Sequence, residues 1–249
     1  MSEAITYIGC AGWSLNAQVA THFPIVGTHL ARYAQVFSAV EVNTSFYREH
    51  QTKTYERWAQ SVPEHFLFSV KLPRSITHEH RLVNAEALIQ RFAEQTSALA
   101  DKLGCVLVQL PPSLAFEPSH ADAFFVQLRS AISAAIVCEP RHESWFTPEA
   151  RALLTLYDID YVRAHPKPVP NLDLELPRST LYIRLHGVPV MYYSAYSAAY
   201  IDALAQRICE VRADGYTIWC IFDNTAQGHA VPNALHLMNR LVQHSTETR

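Results

Sequence analysis

Short runs of β-branched and aromatic residues recur along the chain, and most are followed by a segment in which apolar residues return every three or four positions. An apolar run with polar flanks is typical of a buried strand, and the three-to-four spacing is typical of an amphipathic helix. Strands that alternate with helices favour right-handed crossovers and a parallel sheet. The runs begin near Tyr7, Ala39, Phe66, Cys105, Ala135, Asp160, Thr180 and Tyr216.

Two of the helical segments have recognisable ends. The segment 85–103 has apolar residues on one face and is followed by Gly104, which predicts a left-handed stop after the helix. The segment 200–213 has a second apolar face and closes at an Asp-Gly pair. Four prolines between residues 163 and 180 predict a stiff loop in place of the sixth helix.

These elements predict an α/β fold, a single (β/α)8 TIM-barrel-like domain over residues 1–249 that is irregular around the sixth unit. Eight strands in a chain of 249 residues match the usual size of this barrel. A doubly wound open sheet is the alternative, but it gathers its ligand groups at one switch point. The chain also has neither the G-x-G-x-x-G nor the G-x-x-x-x-G-K-[ST] motif of nucleotide-binding open sheets.

Charged or amide side chains end most of the predicted strands. A fully buried parallel strand rarely contains such residues, whereas the loops at the carboxyl ends of barrel strands build the active site. We therefore predict a polar pocket on one face of the fold. The residues in question are Glu41, Asn43, Lys71, Gln109, Glu139, Arg141, Arg163, Arg184, His186, Asp223 and Asn224.

Four of these side chains, Glu41, Lys71, Glu139 and His186, are the candidate catalytic residues. Two carboxylates in different surroundings can divide acid and base roles between them. A desolvated lysine can serve as an acid, a base or an amine nucleophile, and a histidine beside a glycine turn suits proton transfer. In the alternative interpretation, each carboxylate only pairs with an arginine and the histidine only bonds to backbone.

Cations from several strands repel one another in a confined pocket unless carboxylates or a bound anion compensate them. The planar fork of an arginine suits a phosphate or a carboxylate, although an internal salt-bridge network is the alternative. Amides suit hydroxyl groups, and aromatic side chains commonly wall small-molecule pockets. The predicted substrate-binding residues are Trp13, Asn43, Tyr47, Gln109, Arg141, Trp145, Arg184, Tyr196 and Asn224.

Composition narrows the possible partners. The chain is 49% hydrophobic and 17% charged with a formal net charge of −3, so it lacks the general basic field that drives non-specific nucleic-acid binding. Five cysteines without C-x-x-C spacing predict reduced thiols in a cytoplasmic protein, and no apolar run favours export or a membrane span. We predict no cofactor and no metal, because the two histidines of His78-Glu79-His80 have no identifiable third ligand.

Motifs at the same strand ends resemble the DUF72 family, whose members are also called YecE-like proteins. They occur in the family's order between about residues 7 and 240, and the resemblance implies a TIM-barrel-like domain of unestablished function with a shared polar pocket. The stretches that carry it are Gly9–Ser14, Val40–Tyr47, Val70–Pro73 with Thr77-His78, Gln109–Ser113, Glu139–Phe146, Arg184–Gly187 and Asp223-Asn224. Where Ala-Asp-Ser-Pro is usual, this chain has Arg163-Ala164-His165-Pro166, so we expect a cation in place of an anion and a more positive pocket.

The leading hypothesis is an enzyme that acts on a small anionic or polyhydroxylated, sugar-like metabolite by acid/base chemistry. Isomerase, lyase and hydrolase reactions all fit that description. The first alternative is a metal-assisted phosphodiesterase or nucleic-acid-processing barrel. The second is a non-catalytic module that binds a ligand or a partner. The sequence does not indicate an oligomeric state.

Overall fold

The computed structural model of the chain describes residues 5–169, 174, 177–212 and 214–247, with side chains as far as residue 244. Strands and helices alternate along this part of the chain. The strands are β1 (Thr6–Cys10), β2 (Ala39–Val42), β3 (Leu67–Lys71), β4 (Leu103–Gln109), β5 (Ala135–Glu139), β6 (Ile159–Tyr161), β7 (Arg163–His165), β8 (Thr180–Leu185) and β9 (Thr217–Phe222). The α-helices are α1 (His29–Tyr33), α2 (Thr52–Gln60), α3 (Glu86–Thr96), α4 (Pro118–Ala131), α5 (Pro148–Leu156), α6 (Ala198–Arg212) and α7 (Ala230–Glu247).

The strands pair in parallel and form two sheets. One sheet has the order β1-β9-β8-β7 and the other the order β2-β3-β4-β5-β6. Helices supply most of the crossovers that parallel pairing requires, whereas no helix lies between β6, β7 and β8 in the described residues. The predicted α/β class with parallel sheets is therefore confirmed, whereas the ladders between the described strands form two sheets and not one closed ring.

The two sheets adjoin where β6 runs into β7. Only Val162 separates these strands along the chain, and its N–H donates to the Cys138 carbonyl of the five-stranded sheet at 2.8 Å. On the side of the four-stranded sheet, the His186 N–H donates to the His165 carbonyl at the end of β7 at 2.8 Å. One continuous segment therefore contributes a strand to each sheet.

A second junction lies between β1 and β2. The Tyr33 hydroxyl accepts the Cys10 N–H at 2.8 Å and donates to the Ala39 carbonyl at 3.1 Å, so one side chain of α1 bridges both strands. Gly9 permits this close approach, since a Cβ at that position would lie 2.0 Å from the Ala39 oxygen. The strands on either side of this junction belong to different sheets.

Inward-facing side chains form two layers between the sheets. One layer is apolar and includes Tyr182, whose ring stacks on Trp219 with the centroids 6.0 Å apart. The layer nearer the carboxyl ends consists of charged side chains. Other members of the apolar layer are Ala39, Cys105, Leu107, Val137, Val162 and Ile221.

The helix predicted over residues 85–103 is shorter than expected. Helix α3 ends at Thr96 and a 3-10 segment, Ser97–Lys102, follows. Gly104 lies inside β4 and therefore does not end a helix. A Cβ at this position would be 2.6 Å from the Trp219 ring. The glycine is needed for packing between strands, a requirement that local pattern does not reveal.

The sixth unit is irregular where the structure describes it. Residues 166–169, 174 and 177–179 contain no helix, and Pro170 falls outside the described residues. Helix α6 (Ala198–Arg212), by contrast, agrees closely with the segment predicted over residues 200–213.

The cysteines are all unpaired, as predicted. Burial raises the pKa of the Cys10 thiol to about 12, so this thiol stays protonated and unreactive at neutral pH. The cytoplasmic location inferred from such thiols stays a prediction. Within the described residues, no helix is both long enough and apolar enough to cross a bilayer.

Candidate functional site

Arg184 lies at the centre of the charged layer and is 1% exposed. Its Nε and Nη2 contact the two carboxylate oxygens of Glu41 at 2.9 and 2.8 Å, its Nη1 is 3.2 Å from Glu139 Oε2, and its Nη2 is 2.9 Å from Asp223 Oδ2. Burial alone would lower the pKa of the guanidinium, but these carboxylates hold it well above the ordinary value. The fork predicted to hold a ligand anion is already occupied by protein carboxylates.

The carboxylates of this cluster are equally enclosed. Glu41 is 0% and Glu139 1% exposed, and Glu41 also accepts a hydrogen bond from the Tyr182 hydroxyl at 3.0 Å. Burial would raise the pKa of Glu139, yet Arg184, His186 and Arg141 hold it well below its ordinary value. The contacts favour the interpretation in which each carboxylate pairs with an arginine, and proton transfer by Glu41 or Glu139 stays a prediction.

His186 follows β8 and shares the cluster with Arg184, as the alternation of side chains along the strand predicts. Its Nδ1 is 3.0 Å from Asp223 Oδ2, and its Nε2, 3.5 Å from Glu139 Oε1, is buried without a hydrogen bond to any described residue. Burial would lower its pKa, but attraction to Glu139 and the hydrogen bond to Asp223 raise it above 6.5. Tyr192 packs edge-on against the ring, with the centroids 5.5 Å apart. The surroundings therefore favour the protonated imidazole.

Lys71, at the end of β3, has a different environment from Arg184. The residue is 5% exposed, and its ammonium has no hydrogen bond or ion pair within the described part of the chain. Its Nζ lies 4.1 Å from the centroid of the Phe46 ring. Burial lowers its pKa to about 8, and Arg184 adds to the shift, while the three carboxylates oppose it. The buried cation is held by a cation–π contact and long-range attraction alone.

His78 shares the Phe46 ring with Lys71 and lies near several cations. His78 packs edge-on against the same Phe46 ring, with the centroids 4.9 Å apart. Burial and the repulsion of nearby cations lower the pKa of His78 to about 4, so this imidazole is neutral at pH 7. Arg141 donates to Glu139 through Nε at 3.1 Å and Nη2 at 2.8 Å and keeps 20% of its side chain exposed. The cations that act on His78 are Lys71, Arg74, Arg141 and Arg81.

A cavity of about 820 Å³ opens at the carboxyl ends of β1, β2 and β9. Trp13 lines it and packs edge-on against Trp58, with the centroids 5.0 Å apart. Asn43 lines it as well, and the Asn43 Oδ1 is buried without a hydrogen bond to the described residues. Two predicted ligand-binding residues thus share one cavity wall.

The remaining predicted ligand-binding residues lie elsewhere. Tyr47 is 69% exposed and packs against Phe46, whereas Trp145 is 1% exposed and its indole N–H donates to the Leu114 carbonyl at 2.9 Å. The Tyr196 hydroxyl donates to the His165 carbonyl at 2.9 Å. Trp145 and Tyr196 therefore fill the protein interior.

The two predicted amides also have protein partners. Gln109 Nε2 donates to the Leu110 carbonyl at 3.0 Å. Asn224 Nδ2 donates to Asn233 Oδ1 at 2.9 Å and to the Ser194 carbonyl at 3.0 Å, while Asn224 Oδ1 is buried without a described partner. Their role in reading hydroxyl groups stays a prediction.

Arg163 does not join the charged cluster. Its Nη2 donates to the Leu174 carbonyl at 2.9 Å, and its side chain lines a cavity next to α6 with Leu181 and Tyr200. The neighbouring Ala164 packs against the interior apolar layer instead. The expected additional cation in the pocket is therefore absent, because the pleat points Arg163 to the outer face of the sheet.

Sequence reasoning overlooked two members of the cluster. Asp223, noted only as a strand ending, contacts both Arg184 and His186, and Tyr182 links Glu41 to the apolar layer. The signal for Tyr182 was its spacing of two residues from Arg184, which places both side chains on one face of β8.

The geometry offers little support for a metal centre. Within the described residues, no group of three or more histidine, cysteine, aspartate or glutamate side chains is arranged to hold a metal ion. The carboxylates that meet in the interior meet around the Arg184 guanidinium, which fills the place a cation would take.

The fold and the site together define an α/β protein with parallel sheets and a charged cluster at the carboxyl ends of the strands. The chain belongs to the DUF72 family, described as proteins of unknown function, and the family pattern matches residues 7–249. Two relatives carry the name UPF0759. The chain is 32% identical over 119 residues to YecE of Escherichia coli K12, a match that covers 48% of this chain and 42% of YecE. It is 22% identical over 267 aligned positions to YunF of Bacillus subtilis 168, which covers 94% of each chain.

Solved structures of the family show the same fold. A DUF72 family protein from Thermotoga maritima MSB8 matches with a TM-score of 0.78 at 24% identity, covering 96% of this chain and 99% of that one. A DUF72 family protein from Enterococcus faecalis V583 matches with a TM-score of 0.78 at 21% identity and 96% coverage of both chains. These similarities establish the fold and leave the chemistry to the site itself.

Proposed function

We propose that the protein is an enzyme that acts on a small anionic metabolite, with Lys71 as the proton-transferring group and Arg141 as a second contact to the anion. The observation that carries the proposal is the buried Lys71, whose ammonium has no direct hydrogen bond or ion pair among the described residues. A charge buried in this way is costly unless something compensates it, and a bound anion would do so. Arg184 and the carboxylates then maintain the shape and field of the pocket.

A pKa of about 8 suits Lys71 to catalysis. Proton transfer is most efficient when the pKa of the catalytic group lies near the working pH, and an unperturbed lysine is too basic for this. His186 adds a second titratable group to the cluster, because Glu139 and Asp223 raise its pKa and favour its protonated form.

The first experiment measures anion binding by calorimetry with inorganic phosphate and with malonate between pH 6 and pH 10. Binding should weaken as the pH rises through about 8, because the Lys71 ammonium is lost. Lys71→Met should abolish this dependence, whereas Lys53→Met, at an exposed position of α2, should keep it. Equal affinity in wild type and Lys71→Met would show that Lys71 does not hold the anion.

The second experiment tests turnover. Pools of phosphorylated and carboxylated metabolites are incubated with the protein and followed by mass spectrometry. Lys71→Met should lower the rate of any consumed metabolite at least about 100-fold, in the range typical of a lost acid/base group. A substrate that is turned over equally well by Lys71→Met would remove Lys71 from the mechanism.

A non-catalytic ligand-binding module is the second candidate. The observation that favours it is the near-complete burial of Glu41, Glu139 and Arg184, which suits a structural network as well as a catalytic one. It shares the Lys71 site and requires the same anion binding. Stoichiometric capture of a ligand without any product would distinguish it from the enzyme.

We also propose that the two sheets close into one TIM-barrel-like domain. Three features support this: the continuous segment through Val162, the Tyr33 bridge between β1 and β2, and the contacts of Arg184 with carboxylates of the opposite sheet. In such a barrel the active site lies at the carboxyl ends of the strands, where Lys71 and Arg141 are found.

A further inference from the structure

The walls of the 820 Å³ cavity differ in character from the charged cluster. Its described lining contains no lysine, arginine, aspartate or glutamate. Uncharged side chains with hydrogen-bonding groups surround it, together with the indole of Trp13. The polar members are Ser14, Asn16, His29, Asn43, Thr44, Thr225 and Gln227. A pocket of this size with an aromatic wall and a few polar groups suits a small ligand rich in hydroxyl groups.

The cavity and Lys71 share the turn that follows β2. Asn43 and Thr44 line the cavity, while Phe46 carries the Lys71 ammonium on its ring. Between them, the Ser45 hydroxyl lies 2.6 Å from the Lys71 carbonyl and 2.7 Å from the Val42 carbonyl, which fixes the turn to both strands. The turn is a 3-10 helix, so its three steps advance only about 6 Å.

We infer that this cavity binds the hydroxylated part of a ligand whose anionic group is held at Lys71. The substrate class is then a phosphorylated sugar or a sugar acid. The inference rests on the proposed anion site and adds to it a separate, uncharged subsite. Asn43 is partly exposed in the cavity wall, and its side-chain amide supplies hydrogen-bonding capacity beside the indole of Trp13.

The arrangement also indicates which ligands bind poorly. A compact inorganic anion reaches Lys71 and Arg141 but leaves the cavity to water. A neutral sugar fills the cavity but adds no counter-charge to the Lys71 ammonium, so the cost of burying that charge remains. A ligand that carries both groups gains both interactions, one with the Lys71 ammonium and one with the polar and aromatic wall of the cavity.

The test compares the affinities of four probes by calorimetry: inorganic phosphate, glucose, glucose 6-phosphate and glucuronate. Ala226→Trp places a bulky ring at an exposed position of the cavity wall, and Gln227→Trp is a second blocking variant on the same loop. Ala87→Trp, at an exposed position of α3, is the matched control. Circular dichroism and thermal melting confirm that each variant is folded.

Wild type should bind glucose 6-phosphate or glucuronate at least about tenfold more tightly than inorganic phosphate, which corresponds to about 1.4 kcal/mol. Ala226→Trp and Gln227→Trp should remove this advantage and leave phosphate binding within about twofold, a difference below 0.5 kcal/mol. Ala87→Trp should change neither affinity. Tighter binding of glucose 6-phosphate would indicate that the site prefers a phosphate group, and tighter binding of glucuronate would indicate a carboxylate.

Two results would overturn the inference in different ways. If phosphate binds through Lys71 but neither anionic sugar binds more tightly, or if the blocking variants leave the sugar affinities unchanged, the cavity is not the subsite and the proposed anion site stands. If no probe depends on Lys71, both the subsite and the proposed function are wrong.

Discussion

Two buried cations of this protein have opposite pKa shifts. Arg184 is surrounded by Glu41, Glu139 and Asp223, and its pKa rises despite burial. The Lys71 ammonium has no direct carboxylate partner in the described part of the chain, and its pKa falls to about 8. A paired guanidinium is suited to holding a structure together, whereas an unpaired ammonium is suited to binding and proton transfer. The contrast separates the structural part of the cluster from the part available to a ligand.

Replacing Lys71 with methionine should stabilise the protein at pH 7. The pKa of Lys71 falls from 10.5 to about 8 on folding. Below pH 8 the side chain is charged in both states, and burying that charge destabilises the folded protein. The shift corresponds to a cost on the order of 3 kcal/mol, and methionine fills similar space without a charge. Urea unfolding should therefore give Lys71→Met a free energy of unfolding about 1 to 3 kcal/mol above wild type.

Lys53→Met is the control for this effect, since Lys53 is exposed on α2, and its free energy of unfolding should change by less than about 0.5 kcal/mol. A Lys71→Met protein less stable than wild type at pH 7 would mean that the ammonium is compensated in the folded state.

Replacing Arg184 with methionine should have the opposite effect. The substitution leaves buried carboxylates without their cation, a change that typically costs about 3 to 5 kcal/mol. Chemical unfolding at pH 7 should show this loss, and Arg57→Met on the exposed side of α2 should show almost none. A loss below about 1 kcal/mol would indicate that the carboxylates are solvated or protonated in the folded protein.

At the level of elements, α1 has a specific role through one hydroxyl group. Tyr33 is 0% exposed and joins the Cys10 N–H of β1 to the Ala39 carbonyl of β2. Its ring packs on Phe37, with the centroids 4.7 Å apart, which fixes the hydroxyl in place. The short helix thus bridges two strands that belong to different sheets.

Tyr33→Phe should destabilise the protein by about 1 to 3 kcal/mol. The substitution keeps the ring but leaves a buried N–H and a buried carbonyl without their partner, and each such group carries a desolvation penalty. Thermal and urea unfolding measure the loss. Tyr193→Phe, at a position that is 52% exposed, is the matched control and should be nearly neutral. An equally neutral Tyr33→Phe would show that water or a backbone bond replaces the bridge.

For the whole molecule, the charged layer links folding to pH through groups with opposite shifts. Glu139 and Asp223 have lowered pKa values, so their contribution to stability is present above about pH 4.5 and is lost as the pH falls. His186 has a raised pKa, so its contribution is full below pH 6.5 and is lost as the pH rises through its folded value. Lys71 acts in the reverse sense, and stability rises between about pH 8 and 10.5 because the folded protein has lost this proton while the unfolded chain still holds it.

The free energy of unfolding should therefore fall in acid, decline above pH 6.5 and recover above pH 8. Urea midpoints measured between pH 3 and pH 10 test this profile. His186→Gln should remove the decline above pH 6.5, and Lys71→Met should remove the recovery above pH 8, each without changing the other feature. A profile that Lys71→Met leaves unchanged above pH 8 would contradict the assigned shift.

The hydrophobic pattern by itself determined the order of strands and helices, the parallel sheets and the end of the strands at which charged residues collect. Those features depend on local spacing, because a period of two fixes which face of a strand a side chain occupies. The same rule correctly placed Arg184 and His186 on one side of β8. The prediction that Gly104 ends a helix was wrong, because this residue lies in β4 and close packing against Trp219 decides the residue type.

Only the tertiary structure decided how the charges pair. Arg184 and Glu41 are 143 residues apart in the chain but 2.8 Å apart in space, and nothing local distinguishes that pair from the others available. The structure also decided depth, since it buried Trp145 and Tyr196 in packing contacts and turned Arg163 outward. Pairing and depth depend on how strands from distant parts of the chain meet, so only the fold determined that Arg184 is paired with carboxylates and that Lys71, the cation of the proposed anion site, has no direct ion pair among the described residues.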